Sequence, residues 1–383
     1  MTHESSPLRV LMVAPRYTPY PQGGIAMHIY QVGQRLARMG VDVTILATDV
    51  TGRLATVEES EGMHILRVRA WPTNKDYYFA PDIYRVITQG NWELVHCQGY
   101  NNLIPPLTML SAKRANIPYM LSIHSGGDVT ALRKALRGLH RRMLRPLLAQ
   151  AVKIIAVSTF EKNLFQKELR LPDGQFAIIS NGVEHLPDVS LIESAANSTN
   201  GTHTSPLIVS IGRLVQYKGH QQLIAAMPEV LEQIPDTRLR IVGVGPYEPV
   251  LRKMASKLGV ADHVEIKPVP GGDWQGMASL IASASLVTLL SEHEGQGIAV
   301  LEALALKRPV LVASTSALQE FAERGLVRAV PFKSTPEKVA AAVVEQLRHP
   351  LLPPEIPLPT WDDCAAELFA LYQRVVRKPV YVS

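Results

Sequence analysis

Two carboxylates flank the start of an apolar run in the second half of the chain. The stretch SEHEGQGIAVLEALALKRPV (291–310) places Glu294 before the run and Glu302 eight residues later, inside it. An unpaired carboxylate is costly to bury, so the packing of an apolar helix does not account for Glu302. Carboxylates accept hydrogen bonds from vicinal hydroxyls, and one of the pair could hold a sugar while the other holds a ribose. The alternative for Glu294 is a helix-dipole interaction, worth about 1 kcal/mol at most on a surface.

The backbone beside Glu294 also suits a ligand. Gly295 and Gly297 free the chain just before the helix. The N–H groups in the first turn of a helix have no partner within it, so we expect them to face a cleft.

Two cations follow a predicted strand earlier in the second half. Arg213 and Lys218 lie in SIGRLVQYKGH (210–220), just after the apolar run LIVSIG. A planar guanidinium and a compact ammonium together suit a diphosphate, whose charge as a leaving group needs neutralising. The alternative is a pair of solvated surface cations.

Two glycine pairs lie between predicted strands and helices. Gly23 and Gly24 in YPQGGIAMH (20–28) could bring the backbone close to an anion at a helix N-terminus, or could serve a tight turn. Gly243 and Gly245 in IVGVGPYEP (241–249) lack a third glycine, so the dinucleotide signal is weak and a plain turn is equally compatible.

A histidine ends another predicted strand in the first half. His124 in LSIHSGGDV precedes two glycines. Its place at a strand end favours a role at a ligand, although a lone histidine is more often a structural hydrogen-bonding residue.

Alternating strands and helices must position these residues. In the first half, short apolar runs predict six strands, and the pattern at 25–40 predicts a helix. A polar segment at 187–206 then interrupts the pattern, which restarts at 207. We predict two α/β domains, 1–186 and 207–364, with parallel sheets and ligands at the carboxyl ends of the strands, in a cleft between the domains. The predicted strands of the first half are 8–15, 41–48, 63–70, 92–99, 117–126 and 152–159.

Composition narrows the class of protein. The 383 residues suffice for two domains, and 46% hydrophobic with 19% charged residues is ordinary for a globular protein. Cys97 and Cys364 lie far apart and form no metal-ligand spacing. The sequence has no signal-peptide pattern and no apolar stretch of about 18 residues, so we expect a cytoplasmic protein.

The first half carries the basic surplus. Residues 1–186 hold 21 Lys and Arg against 14 Asp and Glu. At 128–150 a leucine-rich stripe is accompanied by six basic residues, as in a helix that lies on an anionic membrane. The stripe could equally pack on the sheet. We predict peripheral contact of 128–150 with anionic lipid, at the inner face of the membrane, and no nucleic-acid partner.

Taken in order, these motifs resemble those of glycosyltransferase family 4, whose members are retaining, nucleotide-sugar-dependent enzymes of the GT-B fold, with two Rossmann-like domains facing each other across a cleft. The resemblance covers nearly the whole chain. It implies transfer of a hexosyl unit from a nucleotide diphosphate sugar to the hydroxyl of a sugar, lipid-linked or small-molecule acceptor, in polysaccharide, glycolipid or glycoconjugate biosynthesis. It implies no metal and no other cofactor. The matching pieces are GGIAMH, IHSGG, VSTFEKN, ISNGVE, GRLVQYKG, IVGVGP and EGQGIAVLEALALKRPVLVAS.

The resemblance also implies a role for each candidate residue. Arg213 and Lys218 would bind the donor diphosphate, Glu294 the hydroxyls of the donor sugar and Glu302 the ribose, with His124 beside the transferring sugar. The C-terminal helix, from about 365 to 383, would pack back on the first domain. The implied donor-binding set is Gly23, Gly24, Gly243, Gly245, Gly295, Gln296, Gly297, Ile298, Ala299 and Glu302.

The sequence departs from the family pattern at two places. Gln296 stands where an aromatic residue is common, and Lys307-Arg308 replaces the usual glycine before the next strand. Gln296 leaves the donor sugar open, because a polar side chain there could add a hydrogen bond. Two alternative functions stay open: a phosphorylase or epimerase of the same fold, and a non-catalytic nucleotide-sugar-binding protein.

Overall fold

The structure is a computed structural model whose chain divides into two compact α/β units. The first unit contains the described residues within Met1–Ser125, Thr130–Asn181 and Pro359–Ser383, and the second contains those within Gly182–Leu358. The residues that the structure describes are 6–15, 17, 23–72, 78–100, 103–125, 142–184 and 205–376.

The first unit is built on an eight-stranded sheet in which every pairing but one is parallel. Its four central strands are buried at every residue or at all but the first, as expected for a sheet with both faces covered. The strand order is β3-β4-β2-β1-β5-β6-β7-β8, and only β3 runs antiparallel to its neighbour. The strands are β1 (Arg9–Ala14), β2 (Asp42–Asp49), β3 (Val57–Ser60), β4 (Met63–Arg69), β5 (Leu94–Gln98), β6 (Tyr119–Ser122), β7 (Lys153–Ala156) and β8 (Phe176–Ile178).

Helices connect these strands and cover the sheet. Residues of α2, α3 and α4 share one apolar cluster with the strands. The last of these helices begins at a capping residue, since the Ser158 hydroxyl accepts a hydrogen bond from the Glu161 N–H. The helices are α1 (Gly24–Arg38), α2 (Asp82–Gln89), α3 (Ile104–Arg114) and α4 (Thr159–Leu169).

The second unit has a six-stranded, fully parallel sheet in the order β11-β10-β9-β12-β13-β14. Its strands are β9 (Leu207–Ile211), β10 (Arg238–Val242), β11 (Val264–Ile266), β12 (Leu286–Leu289), β13 (Val310–Ser314) and β14 (Arg328–Pro331). Its helices are α5 (His220–Gln233), α6 (Glu248–Lys257), α7 (Trp274–Ser283), α8 (Ile298–Ala305), α9 (Leu318–Glu323) and α10 (Pro336–Arg348).

A final helix, α11 (Trp361–Val376), belongs to the first unit. It contacts α1, and the Arg35 guanidinium on α1 donates to the Asp362 carboxylate at 2.9 Å. The Tyr372 hydroxyl lies 2.5 Å from His96 Nδ1 on β5. The first unit therefore combines segments from both ends of the chain.

The observed elements differ from the predicted ones in detail. The strand predicted at 117–126 is only Tyr119–Ser122. On either side of it the Pro118 carbonyl still accepts from the Val95 N–H and the Ile123 N–H still donates to the Ile155 carbonyl, but the regular pairing ends there. Two short strands, β3 and β8, have no predicted counterpart. The β3 residues VEES are partly exposed at the sheet edge and lack the apolar pattern that predicts a buried strand.

Two predicted segments fall largely on residues that the structure does not describe. The linker at 187–206 lies outside the described residues except for 205–206, and the boundaries drawn on either side of it remain a prediction. Of the basic segment at 128–150, only residues from 142 are described, and 142–148 are helical.

Candidate functional site

The charged candidate residues of the second unit follow two adjacent strands at the centre of its sheet. Strand order reverses at β9, which lies between β10 and β12. Arg213 and Lys218 come after β9, and Glu294 comes after β12. Ligands of open α/β sheets bind at the carboxyl ends of strands where the order reverses, so this position suits a binding site.

Lys218 and Glu294 form an ion pair at this edge. Lys218 Nζ lies 2.5 Å from Glu294 Oε1, and the two side chains are only 16% and 12% exposed. A charge-assisted hydrogen bond that is partly shielded from water is stronger than a surface pair. The pair brings a cation and a carboxylate from distant parts of the chain to one place.

Backbone contacts hold the two loops that carry this pair. The Glu292 N–H donates to the Tyr217 carbonyl at 2.7 Å, and the Glu294 N–H donates to the Ser316 hydroxyl at 2.9 Å. Gly219 has φ +78°, and a β-carbon there would collide with the Leu290 carbonyl. The loops after β9 and β12 are therefore packed directly on each other.

Arg213 stands apart from the ion pair. It is exposed, and its guanidinium donates to the Tyr217 hydroxyl and lies 5.8 Å from the centre of the tyrosine ring. Since no ion pair of the described residues includes Arg213, its charge is available to an anion.

Gly243 and Gly245 pack one loop on another. A β-carbon on Gly243 would overlap the Gly212 carbonyl, and one on Gly245 would overlap the Leu214 carbonyl. The Leu214 N–H donates to the Val244 carbonyl at 3.0 Å, and the Tyr247 N–H donates to the Leu214 carbonyl at 2.9 Å. These glycines therefore have a packing role independent of any ligand.

Glu302 lies on α8, which begins after Gly297 with no side-chain cap. Burial raises the pKa of the Glu302 carboxyl to about 7. Among the described residues, no donor is within hydrogen-bonding distance of this carboxyl, although the residue is only partly exposed. Gln296, just before the helix, is 8% exposed, while Gly295, Ile298 and Ala299 are partly exposed.

A histidine that the sequence analysis missed supports this site. His220 Nε2 lies 3.3 Å from the Arg213 carbonyl, and Nδ1 lies 2.9 Å from the Ser210 hydroxyl. Burial lowers the pKa of His220 to about 4, so the ring is neutral at pH 7 and donates from Nε2 to the carbonyl. The sequence feature that could have pointed to His220 is its position directly after Lys218 and Gly219.

His124 is the candidate residue of the first unit. It follows β6 with φ +51°, and its Nε2 lies 2.9 Å from Gln98 Oε1 at the end of β5. Its ring centre lies 4.6 Å from that of His28 on α1. Burial, and then the neighbouring His28 and His96, hold the pKa of His124 well below its usual value, so the ring is neutral.

Gly23 and Gly24 form the start of α1. Gly23 has φ +91° and precedes the helix without a side-chain cap, and Gly24 is the first helical residue. A β-carbon on Gly23 would meet no atom of the described residues within 4 Å. Residues 18–22 of the same loop lie outside the described residues.

The described residues contain neither a cluster of metal ligands nor a membrane-spanning helix. In that part of the chain no three His, Cys, Asp or Glu side chains come together as metal ligands. None of the helices described here is both long and apolar enough to cross a bilayer.

Two family models together match most of this chain. The model described as Glycosyltransferase Family 4 matches residues 22–185, and the model described as Glycosyl transferases group 1 matches residues 192–353. The chain belongs to glycosyltransferase family 4. The protein is therefore a transferase. Its fold is of the α/β class, with two Rossmann-like domains.

Individual glycosyltransferases are similar to this chain along most of their length. The D-inositol 3-phosphate glycosyltransferase of Nocardiopsis dassonvillei is 26% identical, over 90% of this chain and 87% of the relative. Sucrose-phosphate synthase from Thermosynechococcus elongatus superposes with a TM-score of 0.75 at 18% identity, covering 96% and 98% of the two chains. Anabaena HepE in complex with UDP and glucose gives a TM-score of 0.69 at 17% identity, covering 96% and 95%. These structures have the GT-B fold.

The site of the second unit in this glycosyltransferase carries two cations and two carboxyl groups, all of which follow β9 or β12 in the chain. They are Arg213, Lys218, Glu294 and Glu302. Lys218 has one of its three N–H bonds committed to Glu294 and two still available. Arg213 adds a fixed planar donor set, and Glu302 adds an acceptor with no protein donor in the described residues. Such an arrangement can bind a diphosphate and hydroxyl groups together.

Proposed function

We propose that this glycosyltransferase transfers a hexosyl unit from a nucleotide diphosphate sugar to an acceptor hydroxyl, with retention at the anomeric carbon. The Lys218–Glu294 pair carries the proposal, because it joins a phosphate-binding cation to a hydroxyl-binding carboxylate where strand order reverses. The HepE complex with UDP and glucose supports a nucleotide donor in this fold.

Lys218 and Arg213 bind and neutralise the diphosphate. As the bond from the anomeric carbon to the phosphate oxygen breaks, negative charge grows on that oxygen. Cations already in place stabilise this charge more in the transition state than in the bound donor, which raises kcat. Gly24 would approach the same phosphates through its backbone.

Glu294 and Glu302 bind hydroxyl groups of the donor. Glu294 accepts hydrogen bonds from the sugar through the oxygen that Lys218 leaves open, and Glu302 accepts those of the ribose. Gln296 and the backbone N–H groups of Ile298 and Ala299 lie beside the sugar and contribute to its selection. His124 is assigned to the transferring sugar.

Retention follows from attack on the face that the phosphate leaves. The acceptor oxygen forms the new bond to the anomeric carbon, and its proton passes to the departing phosphate oxygen. No protein nucleophile and no metal take part in this scheme. The acceptor is a sugar, a lipid-linked sugar or a small molecule, as for the inositol phosphate relative, and 128–150 contacts anionic lipid when the acceptor is membrane-bound.

The first experiment identifies the donor and then tests the pair. Thermal-shift screening of UDP-, GDP-, ADP- and dTDP-sugars gives the donor, because binding to the native state raises the melting temperature. With that donor, Lys218→Ala and Glu294→Ala should each lower kcat by about 10²- to 10³-fold, the effect of losing one preorganised charged group.

Lys307→Ala provides the matched control for Lys218→Ala. Lys307 pairs with Glu355 at 3.1 Å in the same unit, but both side chains are exposed. Its removal should change kcat less than twofold, since exposed pairs contribute little. Full activity in Glu294→Ala would refute the proposed site. Donor binding without transfer to any acceptor would favour a non-catalytic nucleotide-sugar-binding protein, and sugar release with inorganic phosphate would favour a phosphorylase.

A further inference from the structure

A chain of buried hydrogen bonds links the C-terminal helix to His124. Tyr372 on α11 contacts His96 on β5, His96 contacts Gln98 two residues on, and Gln98 contacts His124. Tyr372, His96 and Gln98 are each 0% exposed. Because buried polar groups must satisfy one another, the direction of each bond constrains the next.

The first bond fixes the tautomer of His96. Its Nδ1 lies 2.5 Å from the Tyr372 hydroxyl, and its Nε2 lies 2.8 Å from the Ser122 hydroxyl. A phenol is a stronger proton donor than a serine hydroxyl and here makes the shorter contact, so Tyr372 donates to Nδ1. Burial raises the pKa of Tyr372, which keeps this donor protonated, and the ring N–H of His96 is then on Nε2 and points to Ser122.

The orientation of the Gln98 amide follows. The single lone pair of His96 Nδ1 already accepts from Tyr372, and it would repel an amide oxygen 3.3 Å away, so the Gln98 NH₂ group faces it and shares the same acceptor. The other end of the amide, Oε1, then faces His124 Nε2 at 2.9 Å and can only accept. His124 must therefore carry its proton on Nε2. Nδ1 is left unprotonated, and no described residue hydrogen-bonds to it.

The buried carboxyl group of Glu161 holds the backbone on the other side of His124. Glu161 Oε1 accepts the N–H of Ser125, the next residue, and Oε2 accepts the Val157 N–H at 2.8 Å. This anchor supports the uncommon φ of +51° at His124. The backbone and the ring of His124 are thus each held by a separate contact.

We propose that Tyr372, His96 and Gln98 are positioning residues that hold His124 in the Nε2–H tautomer, so that its free Nδ1 accepts a hydrogen bond from a sugar hydroxyl. The inference rests on the proposed function for the role of His124 in transfer. The tautomer itself is a property of the ligand-free protein. The C-terminal helix then contributes to the reaction through Tyr372, without itself touching the substrate.

The test is a long-range ¹⁵N–¹H NMR spectrum of the full chain labelled at histidine, with His124 assigned by its loss in His124→Gln. The wild type should show His124 Nε2 protonated and Nδ1 unprotonated. Tyr372→Phe removes the donor to His96 and should give a mixture of His124 tautomers. We expect kcat to fall about fivefold, as for one lost buried hydrogen bond, with the donor KM changed less than twofold. Gln98→Met removes the last link and should give a larger loss of kcat.

Tyr119→Phe is the matched control. Tyr119 is also a buried tyrosine of the first unit, and its hydroxyl donates to the Leu147 carbonyl at 2.6 Å, away from the histidines. It should lower the melting temperature about as much as Tyr372→Phe but leave the His124 spectrum and kcat unchanged.

Two results would overturn the inference: His124 protonated on Nδ1 in the wild type, or a Tyr372→Phe protein that matches Tyr119→Phe in spectrum and kcat. Failure of the proposed function is distinguishable. In that case the tautomers respond as expected, but the wild type transfers sugar from none of the donors.

Discussion

At the scale of single residues, Glu302 is a carboxyl group of the candidate site that changes its charge near neutral pH. Burial raises the pKa of its carboxyl to about 7, well above the value of an exposed glutamate. A carboxylate that accepts two hydroxyl hydrogen bonds binds in its ionised form. Donor binding should therefore favour ionisation of Glu302, and ionisation should favour donor binding.

The first residue-scale prediction concerns the pH dependence of nucleotide binding. Below pH 7 most of Glu302 is protonated, so the affinity for the donor's nucleoside diphosphate should rise about tenfold between pH 6 and pH 8 from this group. Glu302→Gln should lose that increase. Titration calorimetry measures the affinity of the wild type and of Glu302→Gln at each pH. Protonation of the ligand's own phosphate affects both proteins equally, so it cancels in the ratio of their affinities. Glu323→Gln, at an exposed glutamate of α9, should retain the wild-type dependence.

The same substitution should affect stability in the opposite direction. The folded-state pKa of Glu302 is raised, so the folded protein holds its proton longer than the unfolded chain, and ionisation destabilises the fold as pH rises above about 4.5. At pH 8, the free energy of unfolding of Glu302→Gln should exceed that of the wild type by about 1 to 3 kcal/mol. Denaturant unfolding measures this difference, and the variant should unfold at a higher denaturant concentration. A destabilised Glu302→Gln protein at pH 8 would contradict a buried, uncompensated carboxylate.

At the scale of elements, loop packing explains the glycines after β10. The β-carbon position of Gly245 is occupied by the Leu214 backbone, which belongs to the loop after β9. Backbone atoms held by hydrogen bonds cannot move aside cheaply, so a side chain there would separate the two loops.

We therefore expect Gly245→Ala to lower the free energy of unfolding by about 3 kcal/mol or more, at the upper end for overpacking. Gly174→Ala is the control, because a β-carbon at Gly174 would meet no atom of the described part of the chain within 4 Å, and its effect should stay within about 0.5 kcal/mol. Denaturant unfolding measures both, in the absence of any nucleotide. Equal stability of the two variants would show that Gly245 has no packing role.

At the scale of the whole molecule, the first unit needs both ends of the chain. Seven residues of α11 are buried, and they pack on a unit whose remaining described residues end at Asn181. Burying one large apolar side chain stabilises a fold by about 1.5 to 3 kcal/mol, so loss of α11 removes an amount comparable to the stability of a whole domain. The buried residues are Trp361, Cys364, Ala365, Leu368, Leu371, Tyr372 and Val375.

Three fragments test this organisation. Residues 205–358 should fold alone with a cooperative thermal transition, because the segment holds the whole sheet and every buried residue of its two apolar clusters except Val183. Residues 6–184 should not, since they lack α11. The same residues joined to 359–376 by a flexible linker should regain cooperative unfolding. Cooperative unfolding of 6–184 by itself would show that α11 is dispensable for this fold.

The sequence alone determined the class of fold and most of the candidate residues. Continuous apolar runs specify buried parallel strands, and glycines with charged residues at strand ends mark the sheet edge where ligands bind. Both signals are local, so Arg213, Lys218, Glu294 and His124 could each be predicted as a site residue from its own stretch of sequence.

Only the tertiary structure decided which residues meet. The Lys218–Glu294 pair spans 76 positions, the contact between His96 and Tyr372 spans 276, and no local pattern encodes either distance. His220 and Gln98 escaped notice because their roles are hydrogen bonds to groups that the fold brings close. Burial likewise sets the pKa of Glu302 and the neutrality of His124, since the desolvation of a group depends on everything packed around it.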